Sequence, residues 1–224
     1  MAEPGETVQP AVRAWLKPKA EEIFRGLWTS LFYSGRVIGK SVVICSADRR
    51  EGTSTITAGV ALAGSAPSGV ARVALVDFNL RYPAMHEILG LQQAPGVVEV
   101  IVGGMEPRAV AQPVTPTLDL FASGNVGGRL LDVLRSDALT GFLNALCEAY
   151  DHVLIDAPAA NQFPDAHVLA TAAKNVVLVA HTEQTPREAV AQAKKRLEAG
   201  GGRLVGLVLN MRTYPIPGFL YRRV

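Results

Sequence analysis

The sequence is poor in cysteine and in aromatic residues, and neither sign of charge dominates. Its two cysteines, Cys45 and Cys147, lie in apolar runs, which excludes a disulfide framework and predicts two buried, reduced thiols. Aromatic residues make up 6%, too few to indicate a surface that stacks nucleic-acid bases. The 22 Lys and Arg against 20 Asp and Glu exclude binding of nucleic acid by bulk positive charge. We therefore expect no nucleic-acid partner.

Long hydrophobic runs are missing as well. No stretch approaches the roughly 20 apolar residues that a membrane-spanning helix needs. The first 15 residues are polar and lack the apolar segment of a signal peptide. The sequence therefore predicts a cytoplasmic chain, and recruitment to the inner face of the plasma membrane would depend on a partner.

The pattern that is present is an alternation of short β-branched runs with stretches of helical periodicity. Buried strands are predicted at 41–46, 72–77, 118–122, 152–156, 175–180 and 204–210. Helices are predicted at 53–65, 129–149, 164–173 and 185–199. Strands that are apolar on both faces and alternate with helices predict an α/β fold, a doubly wound and mainly parallel sheet of about seven or eight strands.

The two ends of the chain differ from this pattern. Residues 1–20 and 213–224 contain several prolines and little periodicity, so we predict an arm, a domain over 21–212 and a flexible tail. An amphipathic helix opens the domain, with four apolar residues on one face: Phe24, Leu27, Trp28 and Leu31.

Three of the predicted strands end in a polar residue. These residues are Asp77, Asp156 and Asn210. The carboxyl ends of parallel strands meet at one edge of an open sheet, where α/β proteins bind their ligands. We therefore expect a ligand site at this edge.

The loop after the first strand, residues 46–55, has the position of a P-loop but only part of its sequence. A P-loop reads G-x-x-x-x-G-K-[ST], in which glycines let the backbone wrap phosphates and the lysine reaches the β- and γ-phosphates. Gly52 and Ser54 fit this pattern. Thr53 stands at the lysine position, and Ala47 stands at the first glycine position.

The motifs around this loop resemble those of the bacterial tyrosine kinases (BY-kinases) of capsule and exopolysaccharide assembly, in the MinD/ParA group of P-loop ATPases. Residues 76–83 with His86 are similar to the family's D-x-D-L-R-x-P-x-x-H motif. Residues 150–158 are similar to its YD-x-x-x-x-D-x-P motif, and 22–29 to its E-x-x-R-x-x-R assembly helix. The resemblance implies a P-loop fold.

The resemblance also implies roles for individual residues. ATP or ADP would be bound by Arg49, Arg50, Glu51, Gly52, Thr53, Ser54, Thr55 and Asn210. Mg²⁺ would be held by Ser54, Asp77 and Asp156, the two aspartates also being the catalytic residues. Glu22 and Arg25 would contact further copies of the chain, and Tyr214 and Tyr221 would accept phosphate. The implied partner is a membrane-bound polysaccharide co-polymerase or export component.

The sequence departs from the family's motifs mainly at positions that serve phosphoryl transfer. Besides Thr53, the second acid of the D-x-D motif is Asn79, and Trp28 replaces the second arginine of the assembly helix. Loss of the lysine contact costs ~2–5 kcal/mol in a partly desolvated site. Arg49 and Arg50 either replace this charge or are solvated loop residues.

Three hypotheses therefore stand at this point. The first is a pseudokinase of exopolysaccharide assembly that binds nucleotide weakly or not at all and acts through protein contacts. The second is an active ATP-dependent tyrosine autokinase in which Arg49 or Arg50 replaces the lysine and Asp77 is the general base. The third is a MinD/ParA-like positioning ATPase, although Ala47 and Asp48 lack the extra lysine usual in that group.

Overall fold

A computed structural model of the chain describes residues 18–65, 71–135 and 137–212. The strands within these ranges are β1 (Ser41–Ser46), β2 (Val73–Asp77), β3 (Gln112–Thr115), β4 (Leu118–Phe121), β5 (His152–Asp156), β6 (Asn175–His181) and β7 (Arg203–Asn210). They form one sheet in the order β3-β4-β2-β5-β1-β6-β7. Every neighbouring pair is parallel except β3–β4, which is antiparallel. The predicted mainly parallel sheet is confirmed.

Helices cover both faces of this sheet. The longer ones are α1 (Pro18–Phe32), α2 (Thr53–Gly64), α7 (Asp137–Ala149), α8 (Asp165–Ala173) and α9 (Arg187–Ala199). The shorter ones are α3 (Met85–Leu89), α4 (Val97–Ile101), α5 (Pro107–Val110) and α6 (Leu130–Arg135). One hydrophobic cluster packs α1, α2 and α3 on one face, and a second packs α7, α8 and α9 on the other. The fold is therefore doubly wound, as predicted.

The structure differs from the sequence prediction at several elements. The predicted helix over 129–149 is two helices, α6 and α7. Strand β3 and the short helices α3, α4 and α5 were not predicted, and β3 contains Pro113, which an edge strand tolerates. The expectation that β7 is buried on both faces is wrong, because β7 is an edge strand with Leu207 and Leu209 exposed. Cys147 is only half-buried, unlike the predicted buried thiol, because it lies beside the buried face of α7.

The ends of the domain can be compared only in part. Helix α1 begins at Pro18, three residues before the predicted domain boundary, because proline is well suited to the first turn of a helix. The rest of the predicted arm and the predicted tail, with Tyr214 and Tyr221, lie outside the described residues. Among the described helices, none combines the length and the hydropathy that crossing a membrane requires.

Helix α1 docks on α2 through two glycines. A Cβ added at Gly59 would lie 2.5 Å from the ring of Phe24, and one added at Gly64 would lie 2.4 Å from the indole of Trp28. The expectation that Trp28 is a packing residue is confirmed, since its side chain is buried in the cluster that joins α1 to the sheet. The glycines therefore set how closely α1 approaches α2.

This packing predicts opposite effects of the same substitution at two helical glycines. Gly59→Ala should destabilise the protein by ~1–2 kcal/mol, because overpacking against Phe24 outweighs the gain in helix propensity. Gly141→Ala on α7 is the control, since a Cβ there has no neighbour within 4 Å. It should stabilise the protein by ~0.5–1 kcal/mol. Urea unfolding measures both, and equal stabilisation by the two variants would contradict the close approach of α1.

Candidate functional site

The loop between β1 and α2 leaves a run of backbone N–H groups free. Within the described part of the chain, the N–H groups of residues 49–55 have no hydrogen-bond partner. The first helical bond runs from the N–H of Ile56 to the carbonyl of Gly52. Arg50 and Gly52 both have left-handed backbone conformations, with φ of 64° and 81°. Consecutive free N–H groups at the start of a helix favour a bound anion.

Glu51 and Asn210 hold this loop in place. The buried Glu51 carboxylate accepts hydrogen bonds from the Asp48 N–H, at 3.1 Å, and from the Thr185 hydroxyl. The Asn210 side-chain amide donates to the Glu51 carbonyl at 2.8 Å. The position next to this amide requires glycine, because a Cβ added at Gly52 would lie 2.4 Å from Asn210 Nδ2. Both side chains therefore bind the loop itself.

The Asp156 carboxylate lies behind the start of α2. It is fully buried and accepts a hydrogen bond from Ser54 Oγ at 2.7 Å. Its other oxygen lies 3.2 Å from Thr57 Oγ1, whose hydroxyl also donates to the Thr53 carbonyl at 2.9 Å. The structure thus brings Ser54 and Asp156 together as the resemblance implied.

Asp77 is the register partner of Asp156 across β2 and β5, but its carboxylate has a different environment. It accepts hydrogen bonds from the backbone N–H groups of Asn79, Ala84 and Met85, at 3.1–3.2 Å. It is fully buried, and it is not among the residues that line the cleft. In this arrangement Asp77 holds the chain that follows β2.

Burial dominates the protonation of the two aspartates. It raises the pKa of Asp77 to about 6, although three backbone N–H groups stabilise the charged form. Burial also raises the pKa of Asp156 well above its ordinary value, and the charge of Asp77 raises it further. The described residues contain no group of three or more His, Cys, Asp or Glu that could hold a metal. A magnesium ion here would need phosphate oxygens as well as Ser54 and Asp156, which suits its usual coordination.

A cleft of about 320 Å³ opens in front of the loop. Residues 49–55 line one side, and the segments after β2 and β5 line the other. Asn79 is in this lining, and its side-chain oxygen is buried without a hydrogen-bond partner in the described structure. Of the two positions of the D-x-D motif, the second therefore reaches the cleft and the first does not. Sequence reasoning noted Asn79 only as a departure, although the motif itself marked the position.

The arginines of the loop differ in their surroundings. Both side chains are exposed, and the Arg49 guanidinium stacks over the ring of Tyr82 at 4.0 Å, whereas none of the described aromatic rings lies under Arg50. Thr53 is buried and brings no positive charge to the lysine position. Sequence reasoning missed the contribution of Tyr82 and Phe163 to the cleft, because only the folded chain brings them beside the loop.

The residues predicted to contact other copies lie elsewhere. Glu22 and Arg25 are exposed on α1, and Arg25 forms an ion pair with Glu21 at 2.6 Å. They are absent from the cleft lining, so they stay predictions for a separate surface.

The comparisons with known proteins agree with these motifs. No protein-family model matches the chain. Tyrosine-protein kinase YwqD of Bacillus subtilis is 32% identical over 211 residues, which cover 92% of this chain and 88% of YwqD. The chain belongs to the bacterial tyrosine-protein kinase family. The putative tyrosine-protein kinase CapB of Staphylococcus aureus is 28% identical over 94% of this chain and 92% of CapB.

A longer member of this kinase family shows the same match over part of its length. The putative tyrosine-protein kinase EpsB of Ralstonia solanacearum is 26% identical over 84% of this chain, which corresponds to 25% of EpsB.

Solved structures agree on the fold. The chimerical protein CapA2B2 has a TM-score of 0.82 with 26% identity, over 94% of this chain and 92% of the chimera. The kinase domain of Escherichia coli tyrosine kinase ETK has a TM-score of 0.82 with 22% identity, over 97% of this chain and 85% of the ETK domain. A plasmid partition protein from Borrelia burgdorferi shares the fold at a TM-score of 0.61 with 16% identity, over 84% of this chain and 88% of the partition protein. This likeness shows the fold alone.

The buried aspartate pair predicts a pH-dependent effect of Asp156→Asn. Because both pKa values are raised, the folded state binds more protons than the unfolded state above about pH 4, and wild-type stability falls as the pH rises through about 6. Asparagine removes one of the two buried charges, so the variant should be more stable than wild type by ~1–3 kcal/mol at pH 8. The gain should vanish near pH 5.

Urea unfolding at the two pH values measures this difference. Asp132→Asn, at an exposed position on α6, is the control and should change stability little at either pH. A loss of stability at pH 8 in Asp156→Asn would show that the charged carboxylate is favourable in the folded protein.

Proposed function

We propose that this chain is a pseudokinase of the tyrosine-protein kinase family, which binds a nucleotide weakly and acts through protein contacts in capsule or exopolysaccharide assembly. The observation that carries the proposal is the combination of a free backbone cradle at 49–55 with Thr53 and Asn79 at the positions of the lysine and the second acid. The cradle supports binding, and the two substitutions weaken phosphoryl transfer.

Binding of a polyphosphate would use the backbone first. Seven consecutive N–H groups have no hydrogen-bond partner among the described residues, and Glu51 and Asn210 hold their loop. Ser54 and Asp156 are the side chains that fit a magnesium ion beside the phosphates, where the ion would neutralise phosphate charge. The groups needed to hold ATP or ADP with Mg²⁺ are therefore present apart from the lysine.

Phosphoryl transfer has lost two groups. The P-loop lysine stabilises the charge on the transferred phosphoryl group, and threonine can donate only a neutral hydrogen bond there. Asn79 faces the cleft but cannot accept a proton from a tyrosine hydroxyl at neutral pH. Asp77, the predicted general base, is turned to backbone N–H groups behind the cleft.

The active-kinase hypothesis remains a second candidate, because Arg49 and Arg50 both line the cleft. Arginine binds phosphate well, so either side chain could supply part of the missing charge. In that case Tyr214 and Tyr221 would be the phosphate acceptors. This candidate still needs a general base for the tyrosine hydroxyl. The second position of the D-x-D motif reaches the cleft, but it is Asn79 and not an acid.

We propose a membrane-bound polysaccharide co-polymerase or export component as the partner, together with further copies of the chain. The region of EpsB that matches this chain is only a quarter of EpsB. In EpsB the kinase-like region is therefore joined to further protein segments, which supports a partner for this chain. Glu22 and Arg25 on the exposed face of α1 are the proposed contacts between copies. Such a partner would recruit a cytoplasmic chain to the inner face of the plasma membrane.

Calorimetric titration with Mg²⁺·ATP tests the proposal. Wild type should bind weakly, and Thr53→Lys should bind about 30-fold more tightly or better, because a charge contact in such a site is worth at least ~2 kcal/mol. Thr140→Lys, at an exposed position on α7, adds the same charge away from the cleft and should not change the affinity.

A phosphorylation assay with the wild-type protein completes this test. No Mg²⁺·ATP-dependent tyrosine phosphorylation is expected. Phosphorylation of Tyr214 or Tyr221 at a rate ordinary for a kinase would overturn the pseudokinase proposal and favour the second candidate.

A further inference from the structure

Two arginine and two aromatic side chains form a stack along one wall of the cleft, in the order Arg49, Tyr82, Phe163 and Arg81, and the first three of them line the cleft. The Arg49 guanidinium lies over the Tyr82 ring at 4.0 Å, and the Tyr82 and Phe163 ring centroids are 6.2 Å apart. The Arg81 guanidinium lies over the Phe163 ring at 4.5 Å. The stack joins the loop after β1 to the segments that follow β2 and β5.

An ion pair between the partly exposed Arg81 and the buried Asp165 lies at the far end of this stack. Arg81 donates two hydrogen bonds to the carboxylate of Asp165, at 2.8 and 3.0 Å, and Asp165 is 1% exposed. A two-point pair between arginine and carboxylate has a defined geometry. The ion pair therefore orients Arg81 beneath Phe163, and the half-exposed ring of Tyr82 lies between Phe163 and Arg49.

The strand order, taken with the implied nucleotide-binding role of Asn210, indicates which part of a nucleotide this wall would meet. In the order β2-β5-β1-β6-β7, the strands β2 and β7 lie on opposite sides of β1 and its loop. Asn210, which the resemblance places among the residues that bind ATP or ADP, ends β7 and contacts the loop at Glu51. A nucleotide with its base on the β7 side would direct its terminal phosphate toward the β2 side, where Asn79 and Tyr82 line the cleft.

We propose that Tyr82 is a positioning residue, which holds the Arg49 guanidinium on the β2 side of the cleft so that Arg49 binds the terminal phosphate of a nucleoside triphosphate. This inference rests on the proposed function, since it requires the cleft to bind nucleotides. A guanidinium held by an aromatic ring is pre-organised, so it loses less side-chain entropy on binding phosphate. Arg49 thereby supplies charge that Thr53 lacks, and it makes the site selective for ATP over ADP.

Arg50 does not share this arrangement. Both arginines are exposed, but none of the aromatic rings in the described ranges lies under the Arg50 guanidinium. The two neighbouring arginines therefore have separate roles, and the selectivity is assigned to Arg49.

The ratio of the Kd values for Mg²⁺·ADP and Mg²⁺·ATP, measured by calorimetry, tests the proposal. Wild type should prefer ATP by about tenfold or more, the worth of one charge-assisted hydrogen bond. Arg49→Ala should bring the ratio close to one with little change in ADP affinity. Tyr82→Ala should lower the ratio by about threefold or more, whereas Tyr82→Phe keeps the ring and should keep the ratio.

Two control variants account for changes in overall charge and in tyrosine content. Arg36→Ala and Tyr33→Ala alter exposed positions outside the cleft and should leave both affinities unchanged. If wild type binds both nucleotides but Arg49→Ala or Tyr82→Ala leaves the ratio unchanged, the role of Tyr82 is wrong and the proposed function stands. If wild type binds neither nucleotide, nucleotide binding and the role of Tyr82 are both wrong.

Discussion

The hydrogen bonds of one buried carboxylate, Glu51, determine the shape of the loop on which the cleft depends. Glu51 closes the loop on itself through the Asp48 N–H and ties it to the segment before α9 through Thr185. Asn210, at the end of β7, donates a hydrogen bond to the backbone carbonyl of Glu51. These contacts use side chains that a phosphate would not need, so the N–H groups of 49–55 stay free. Contacts within the fold thus determine the shape of the loop.

This arrangement separates binding from chemistry. Backbone N–H groups are indifferent to side-chain replacement, so a phosphate cradle can persist after the lysine has become Thr53. Transfer depends on side-chain charge at two positions, and both Thr53 and Asn79 are neutral. The two remaining acids, Asp77 and Asp156, are buried side by side and hold protons more tightly than exposed aspartates. These features are the basis of the proposal that the chain binds a nucleotide but transfers phosphate poorly.

The sequence predicted the features that arise from local pattern. β-Branched runs and helical periodicity placed the central strands. The polar residues that end β2 and β5 lie side by side, since Asp77 and Asp156 are register partners, whereas Asn210 at the end of β7 contacts the loop at Glu51. The orientation of side chains was beyond the pattern, because it depends on contacts between distant segments. Asp77 faces the backbone of α3, and Tyr82 meets Arg49 across more than thirty residues of sequence. Strand β3 was missed because a short edge strand with a proline has little β signal.

The central claim is that the backbone of residues 49–55 binds phosphate without the lysine. Amide NMR spectra of the ¹⁵N-labelled protein, recorded during a titration with Mg²⁺·pyrophosphate, test it directly. The account predicts saturable shift changes concentrated at the amides of residues 49–55, with much smaller changes on the exposed face of α1. Shifts that do not saturate, or that spread over surface amides without involving 49–55, would contradict it.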